Sequence, residues 1–299
     1  MKNNKLRITV GRHSGFCFGV KRAYDLASMN SFDCEKLYML GKLVHNDDVC
    51  SELKKKGIKE IKRLSDIKDG AIIFTAHGVG PDLYEKANRN GLRIIDTTCP
   101  KVMKAQRLAQ NFAEKGFQVI IFGDKKHKEV KGIKKWSRDK AVIVKNIEEA
   151  KKIMLNKLKK YCLIAQTTQN VAEFKKVKDY LARELNKIIR ESGANAKRMR
   201  VNNFACFNTI CDSTDNRQKE IRKLAKTCDA VTVIGGRDSA NTRRLFEIAK
   251  SLNPRSYLIE NANQLKKSWF NDIGKLAITA GASTPDWVIE EVQKYISKK

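Results

Sequence analysis

Short apolar runs alternate with longer amphipathic stretches along almost the whole chain, and that alternation restricts the folds open to it. The strand-like runs are Leu37–Leu40, Ala71–Thr75, Leu92–Ile95, Val119–Phe122, Ala141–Val144, Tyr161–Ala165, Ala230–Ile234, Ser256–Ile259 and Lys275–Thr279. Between them lie helical patterns such as Val102–Glu114, Val171–Ile189, Asp215–Lys226, Thr242–Leu252 and Pro285–Ser297. Strands separated by helix-length segments imply parallel sheets with crossover helices, an α/β class. With 299 residues, 41% of them hydrophobic, the chain can bury a sizeable core. It carries four prolines and no composition typical of a linker, so any domains are expected to pack closely.

The cysteines reveal a repeat. His45 lies 28 residues after Cys17, His127 lies 28 after Cys99, and Ser239 lies 28 after Cys211. Each of these downstream residues sits in a polar turn ahead of a helix-like segment. A second polar turn closes a later strand in each segment: Phe-Thr-Ala-His77-Gly, Ile-Ala-Gln-Thr167-Thr168 and Thr-Ala-Gly-Ala-Ser283. The order of cysteine, helix, strand and polar turn, then helix, strand and polar turn, predicts three similar α/β units at 1–98, 99–205 and 206–299. Parallel strands would place these turns at their C-terminal ends, beside helix N-termini that favour anions.

Three cysteines in equivalent places suit an iron–sulfur cube better than a closed zinc site, which takes four ligands. The chain has eight cysteines and no CxxC pair, so zinc ribbons and thioredoxin-like chemistry are not expected. Cys206 and Cys211 are spaced C-x4-C, and only Cys211 fits the 28-residue interval. Cys34, Cys50, Cys162 and Cys228 fall in helix-like or strand segments and read as structural. Only four histidines occur, and three of them, His45, His77 and His127, lie at the repeated turns; they are candidate partners for an anion. His13, in Gly-Arg-His-Ser-Gly, reads as structural. Arg237-Asp-Ser239-Ala-Asn241-Thr follows a strand ending in two glycines and reads either as a phosphate cradle or as an ordinary N-cap. Glu129, in His127-Lys-Glu129-Val, is a carboxylate beside these turns, either a proton donor or an unremarkable first-turn residue.

Lysine and arginine total 61 against 33 acidic residues, a net charge of +28. Such an excess attracts polyanions. The basic residues are scattered, however, and aromatics make up only 7% of the chain, so a nucleic-acid groove with stacking aromatics is not expected. No apolar run approaches the roughly 20 residues of a membrane span. The start, Met1 to Val10, runs into a strand-like segment and lacks the apolar region of a secretory signal. The chain is therefore expected to be cytoplasmic, with no nucleic-acid or membrane partner.

Ten short motifs, in order, resemble the 4-hydroxy-3-methylbut-2-enyl diphosphate reductase family. They are Gly15-Phe-Cys17-Phe-Gly-Val20, Leu43-Val-His45-Asn46, Ala76-His77-Gly78, Asp96-Thr-Thr-Cys99-Pro100, His127-Lys-Glu129-Val, Gln166-Thr167-Thr168, Thr209-Ile-Cys211, Asn216-Arg-Gln218, Asp238-Ser239-Ala-Asn241 and Thr279-Ala-Gly-Ala-Ser283-Thr-Pro285-Asp286. The resemblance runs from about Leu6 to the C-terminal helix. It implies a trefoil of three similar α/β domains with mainly parallel sheets around a central [4Fe–4S] cluster, one per chain. It further implies that Cys17, Cys99 and Cys211 hold the cluster. His45, His77, His127, Ser239, Ala240, Asn241 and Ser283 would bind the diphosphate end. Thr167, Thr168 and Glu129 would serve the hydroxyl end, Glu129 as proton source through Thr167. The implied reaction is reductive dehydroxylation to isopentenyl and dimethylallyl diphosphates, the last step of the non-mevalonate isoprenoid pathway, with a ferredoxin or flavodoxin as electron donor.

Two positions depart from the family pattern. Ala240 stands where the family often has a second serine, and Lys128 stands where it usually has proline. Ala240 removes one hydroxyl from the cradle, and Lys128 puts the geometry of Glu129 in question. The competing readings are a non-redox iron–sulfur dehydratase and a basic nucleic-acid-binding protein.

Overall fold

The structure is a computed structural model that describes residues 6–191 and 203–298. The chain forms two compact units, Met1–Ile61 with Asp212–Lys299, and Lys62–Cys211. Within each of them, every strand pairing among the described residues is parallel.

In the first unit, β1 (Arg7–Val10) pairs with β12 (Lys275–Ala280), which pairs with β10 (Ala230–Ile234), which pairs with β11 (Ser256–Ile259). The register sets Arg7 opposite Lys275 and Ala230 opposite Leu276. The central strands are buried on both faces, so they read as continuous apolar runs rather than alternating ones. One face packs Leu276, Ile278 and Ile234 against α10 (Asp286–Ser297) through Val292 and Ile296. The other packs Val231 and Val233 against α8 (Asp212–Thr227) and α9 (Ala240–Leu252) through Ile221 and Leu245. This unit also holds α1 (Phe18–Asp33), α2 (Asp47–Lys55) and the parallel pair β2 (Leu37–Leu40) and β3 (Lys59–Ile61).

The second unit repeats the plan. Its four-stranded sheet has the order β7 (Val142–Val144), β6 (Phe117–Phe122), β8 (Lys160–Ala165), β9 (Phe204–Cys206). Ile120, Phe122 and Leu163 face Phe174, Val177 and Leu181 of α7 (Val171–Glu191). Ile121, Val119 and Ile164 face α4 (Pro100–Glu114) and α5 (Lys128–Trp136) through Ala105, Ala109, Val130 and Ile133. Each fully buried Ile or Leu here contributes about 1.5–3 kcal/mol. The pair β4 (Ala71–Phe74) and β5 (Arg93–Asp96), with α3 (Pro81–Arg89), completes the major elements used below.

The predicted strands are all present. The N-terminal one is β1, while residues 1–5 of that segment lie outside the described residues. The helices predicted from Val102, Asp215 and Thr242 start two or three residues late, because apolar periodicity begins after the cap and first turn, whereas Val171 is matched and Pro285 lies one residue ahead of its helix. Thus α4 opens at Pro100, a residue suited to the first helical position. The three-residue strands β3 and β9 carry too few positions for a period and were not anticipated from it.

Candidate functional site

Each of the three repeated cysteines is half-buried, outside any disulfide, and at a helix start. Cys17 caps α1, Cys99 caps α4, and Cys211 immediately precedes α8. Each also donates its backbone N–H to a strand-end turn. Cys17 donates to the Ala282 carbonyl at 3.1 Å, Cys99 to Ala76 at 3.1 Å, and Cys211 to Thr167 at 2.9 Å. The next residues along those turns are Ser283, His77 and Thr168. The repeat therefore has a physical meaning: one turn residue fixes a cysteine backbone and its neighbour belongs to the candidate substrate-binding set. The 28-residue interval also marks helix starts. His127 caps α5 and Ser239 caps α9, whereas α2 is capped by Asn46, one residue beyond His45.

In the second unit, Glu129 lies in the first turn of α5, almost fully buried at 2% exposure. Its Oε1 accepts the Thr167 amide at 2.6 Å, and its Oε2 accepts the Thr167 hydroxyl at 2.8 Å. Burial pushes the carboxyl up to about 7, against the two Thr167 bonds that favour the ionised form. Lys128 is exposed, so the departure there leaves this buried pair in place. His127 Nδ1 accepts the Glu129 amide at 3.2 Å. A ring nitrogen that accepts must be unprotonated, which leaves Nε2 as the nitrogen able to carry a proton. His77 packs edge-on against His127 with ring centroids 5.6 Å apart. Thr168 accepts from Gln166 Nε2 at 3.0 Å.

In the first unit, three turns meet. The β10 turn comes so close to the chain before α2 that a Cβ on Gly236 would lie 2.5 Å from the His45 carbonyl. The β12 turn joins them, since Ser283 Oγ donates to the His45 carbonyl at 3.4 Å and Thr284 Oγ1 donates to Ile234 at 3.0 Å. Ser239 Oγ accepts the Thr242 amide at 3.3 Å, leaving its own proton for another acceptor. Ala240 opens α9. Asn241 is 4% exposed, and neither its Nδ2 nor its Oδ1 has a hydrogen-bond partner among the described residues. A buried primary amide with both ends unsatisfied costs a few kcal/mol, and such a group marks a place built to meet a polar ligand.

The sequence matches the model of the LytB protein family over residues 8–297. The chain belongs to the LytB protein family. It is 41% identical to a 4-hydroxy-3-methylbut-2-enyl diphosphate reductase of Geobacter metallireducens, with 96% of this chain and 95% of the relative covered. It is 40% identical to the reductase of the same name from Geotalea uraniireducens, with 98% of each covered. The solved structure of the E-1-hydroxy-2-methyl-but-2-enyl-4-diphosphate reductase from Plasmodium falciparum superposes with a TM-score of 0.84 at 28% identity, covering 98% of this chain and 87% of that one. No described helix is long and apolar enough to cross a membrane.

Against this LytB background, two residues stand out to which the sequence alone gave no role. Gln166 accepts the Asp124 amide at 3.0 Å and orients Thr168, and a Cβ on Gly123 would lie 2.9 Å from its side chain. Thr209 accepts the Ala165 amide at 2.8 Å and donates back to the Ala165 carbonyl, tying the Cys211 approach to the end of β8. Both fall inside quoted motifs, Gln166-Thr167-Thr168 and Thr209-Ile-Cys211, which was the available signal.

Proposed function

We propose that this chain reductively removes the hydroxyl group of 4-hydroxy-3-methylbut-2-enyl diphosphate, giving isopentenyl and dimethylallyl diphosphates as the last step of the non-mevalonate pathway. The observation that carries the reading is the Glu129–Thr167 pair, a buried carboxyl at about 7 bonded through both oxygens to one threonine. Family membership supplies the prior for the substrate.

Cys17, Cys99 and Cys211 are assigned as ligands of one [4Fe–4S] cluster per chain, each contributed by one repeat of the divisions 1–98, 99–205 and 206–299. The donor set suits the group: three cysteine thiols outside any disulfide, each on a backbone held by a strand-end turn. When bound, such a cluster supplies electrons one at a time and Lewis acidity. Everything else falls to the protein.

His45, His77, His127, Ser239, the α9 start at Ala240, Asn241 and Ser283 are assigned to the diphosphate. Asn241 and the Ser239 hydroxyl bring donors with no other partner, and His127 offers Nε2–H because Nδ1 is already an acceptor. Their task is to fix the anionic end so that the hydroxyl end is presented to Thr167. With its carboxyl pushed up to about 7, Glu129 is able to hold a proton near neutral pH. With Glu129 protonated, its 2.8 Å bond to Thr167 Oγ1 reverses direction, and the threonine proton is free to move on to the substrate oxygen. The hydroxyl then leaves as water. Two electrons and a second proton complete the product, the proton adding at either end of the allyl fragment. A ferredoxin or flavodoxin is the proposed electron donor.

The test is anaerobic turnover of 4-hydroxy-3-methylbut-2-enyl diphosphate with a reduced viologen dye after iron and sulfide loading. Dye oxidation matched to formation of both five-carbon diphosphates supports the reading. Iron and sulfide incorporation without substrate-dependent oxidation removes the substrate assignment and brings the dehydratase forward.

A further inference from the structure

We infer that Glu220 and Arg217 are positioning residues for Cys17, an inference that rests on the reading of Cys17 as a cluster ligand. Both belong to α8, three residues apart and so on one face of that helix. Between β1 and Cys17 the chain makes a tight turn, Gly11-Arg12-His13-Ser14, closed by Ser14 N–H donating to the Gly11 carbonyl at 3.1 Å. Successive amides of such a turn form a small anion-binding concavity. Here the anion is a side chain of the same protein. Glu220 Oε1 accepts the Arg12 amide at 2.8 Å, and Oε2 accepts the His13 amide at 3.1 Å.

The far end of the same segment is held by the opposite charge. Arg217 is buried, is anchored in its own helix through the Ser213 carbonyl at 3.0 Å, and donates Nη2 to the Gly15 carbonyl at 2.7 Å. Two residues later comes Cys17, whose amide is fixed by Ala282. The Arg12–Cys17 segment is thus gripped at Arg12, His13 and Gly15 by one helix, and at Cys17 by the β12 turn.

Gly11 is explained by the grip, and Gly15 by a second wall beside it. A Cβ on Gly11 would lie 2.7 Å from Glu220 Oε2. The carboxylate could swing away from it only by giving up its two amides. Gly15 has φ +92°, and a Cβ there would strike Asp286 Oδ1. Gly15-Phe-Cys17 therefore owes its glycine to a specific wall, not to general looseness.

The test is cysteine alkylation in the full chain, read by mass spectrometry, with Cys99 and Cys211 as internal references. In metal-free protein, Glu220→Ala is expected to raise the Cys17 rate about tenfold relative to Cys99, because two hydrogen bonds to a charged acceptor are lost. Glu220→Gln, which keeps an oxygen acceptor but presents an NH2 group to the second amide, is expected to fall between Glu220→Ala and the parent. Gly11→Ala should act in the same direction as Glu220→Ala, with a smaller increase. An unchanged Cys17 to Cys99 ratio in Glu220→Ala and Arg217→Met overturns the proposal. So does an equal rise at all three cysteines, which is the mark of a fold loosened throughout. Repeating the measurement on the parent after iron and sulfide loading separates the two readings. Protection of all three thiols supports their assignment as ligands. Its absence removes the ligand assignment, and with it the inference as a statement about cluster binding, whatever the metal-free ratio shows.

Discussion

The two halves of the candidate residue set, one in each unit, are built on opposite principles. Around Glu129 every polar contact is made in advance: Oε1 and Oε2 are both taken by Thr167, and His127 Nδ1 holds the Glu129 amide. Around Asn241 the contacts are left open, with a buried amide bonded to nothing and a Ser239 proton free. A group that moves a proton gains from fixed geometry and a tuned pKa, since a displacement of even an ångström is costly. A group that binds an anion gains from an unmade bond, because a partner already satisfied must be broken away first. The contrast separates the proposed proton-transfer residue from the proposed binding residues without reference to the ligand.

The comparison breaks most readily at Glu129 and Thr167. Glu129→Gln and Thr167→Val are each expected to lower kcat about 10²–10³-fold with cluster content unchanged. If the two act as the proposed relay, the double variant should lose little more than either single one. Additive losses in dye-coupled turnover would separate the residues and remove the relay. The kcat of the parent should also fall as pH rises through about 7, where Glu129 gives up its proton.

Stability carries the same signature at a somewhat smaller size. The folded-state value of Glu129 is raised from 4.5 to about 7. Its favourable contribution is therefore complete below about 4.5 and is lost as pH climbs through 7. The stability of the parent relative to Glu129→Gln should fall by about 3 kcal/mol between pH 4.5 and pH 8. Denaturant midpoints for the two proteins across that range measure it. A pH-independent difference would mean that the carboxyl is solvated in solution.

The two halves also differ in how much of them the sequence discloses. The open contacts belong to residues close together in the chain, in Asp238-Ser239-Ala-Asn241, and glycines followed by small polar groups at a helix start announce a cradle. Asp96-Thr-Thr-Cys99 is equally local: Asp96 Oδ1 accepts the Thr98 amide two residues away, and its Oδ2 accepts Tyr84 Oη at 2.8 Å. Grips across long stretches of chain are silent. Glu220 sits 208 residues from Arg12, and Arg217 sits 202 from Gly15. An unremarkable helix pattern gives no hint that one face of it holds a distant turn. The Glu129–Thr167 pair spans 38 residues. The repeat and the family motifs pointed to both partners, but not to the double bond between them. Parallel sheets follow the same logic, since alternation predicts the class while pairings such as β1 with β12 depend on contacts the local pattern does not encode.

Asn241→Ala sharpens the open half. Removing an unsatisfied buried amide should leave stability unchanged or raise it by about 1 kcal/mol. Inorganic pyrophosphate, used as a probe of the anionic end, should bind about tenfold more weakly. Calorimetry and thermal denaturation on the same preparation read both effects. A stability loss of the size seen for ordinary hydrogen-bonded asparagines would show that the amide has a structural partner in solution.

The smallest expected difference lies between the two serines. Ser239 Oγ accepts from Thr242 as an N-cap, so Ser239→Ala costs about 1 kcal/mol of stability and also takes away a free proton donor. Ser283 Oγ instead spends its proton on the His45 carbonyl across 3.4 Å, near the outer limit for such a bond. Ser283→Ala should therefore cost less than about 0.5 kcal/mol. To donate to a diphosphate, Ser283 must first release His45, whereas Ser239 need not move. Pyrophosphate affinity should accordingly fall less in Ser283→Ala than in Ser239→Ala. The reverse order would place Ser283, and with it the β12 turn that also holds Cys17, nearer the anion than Ser239.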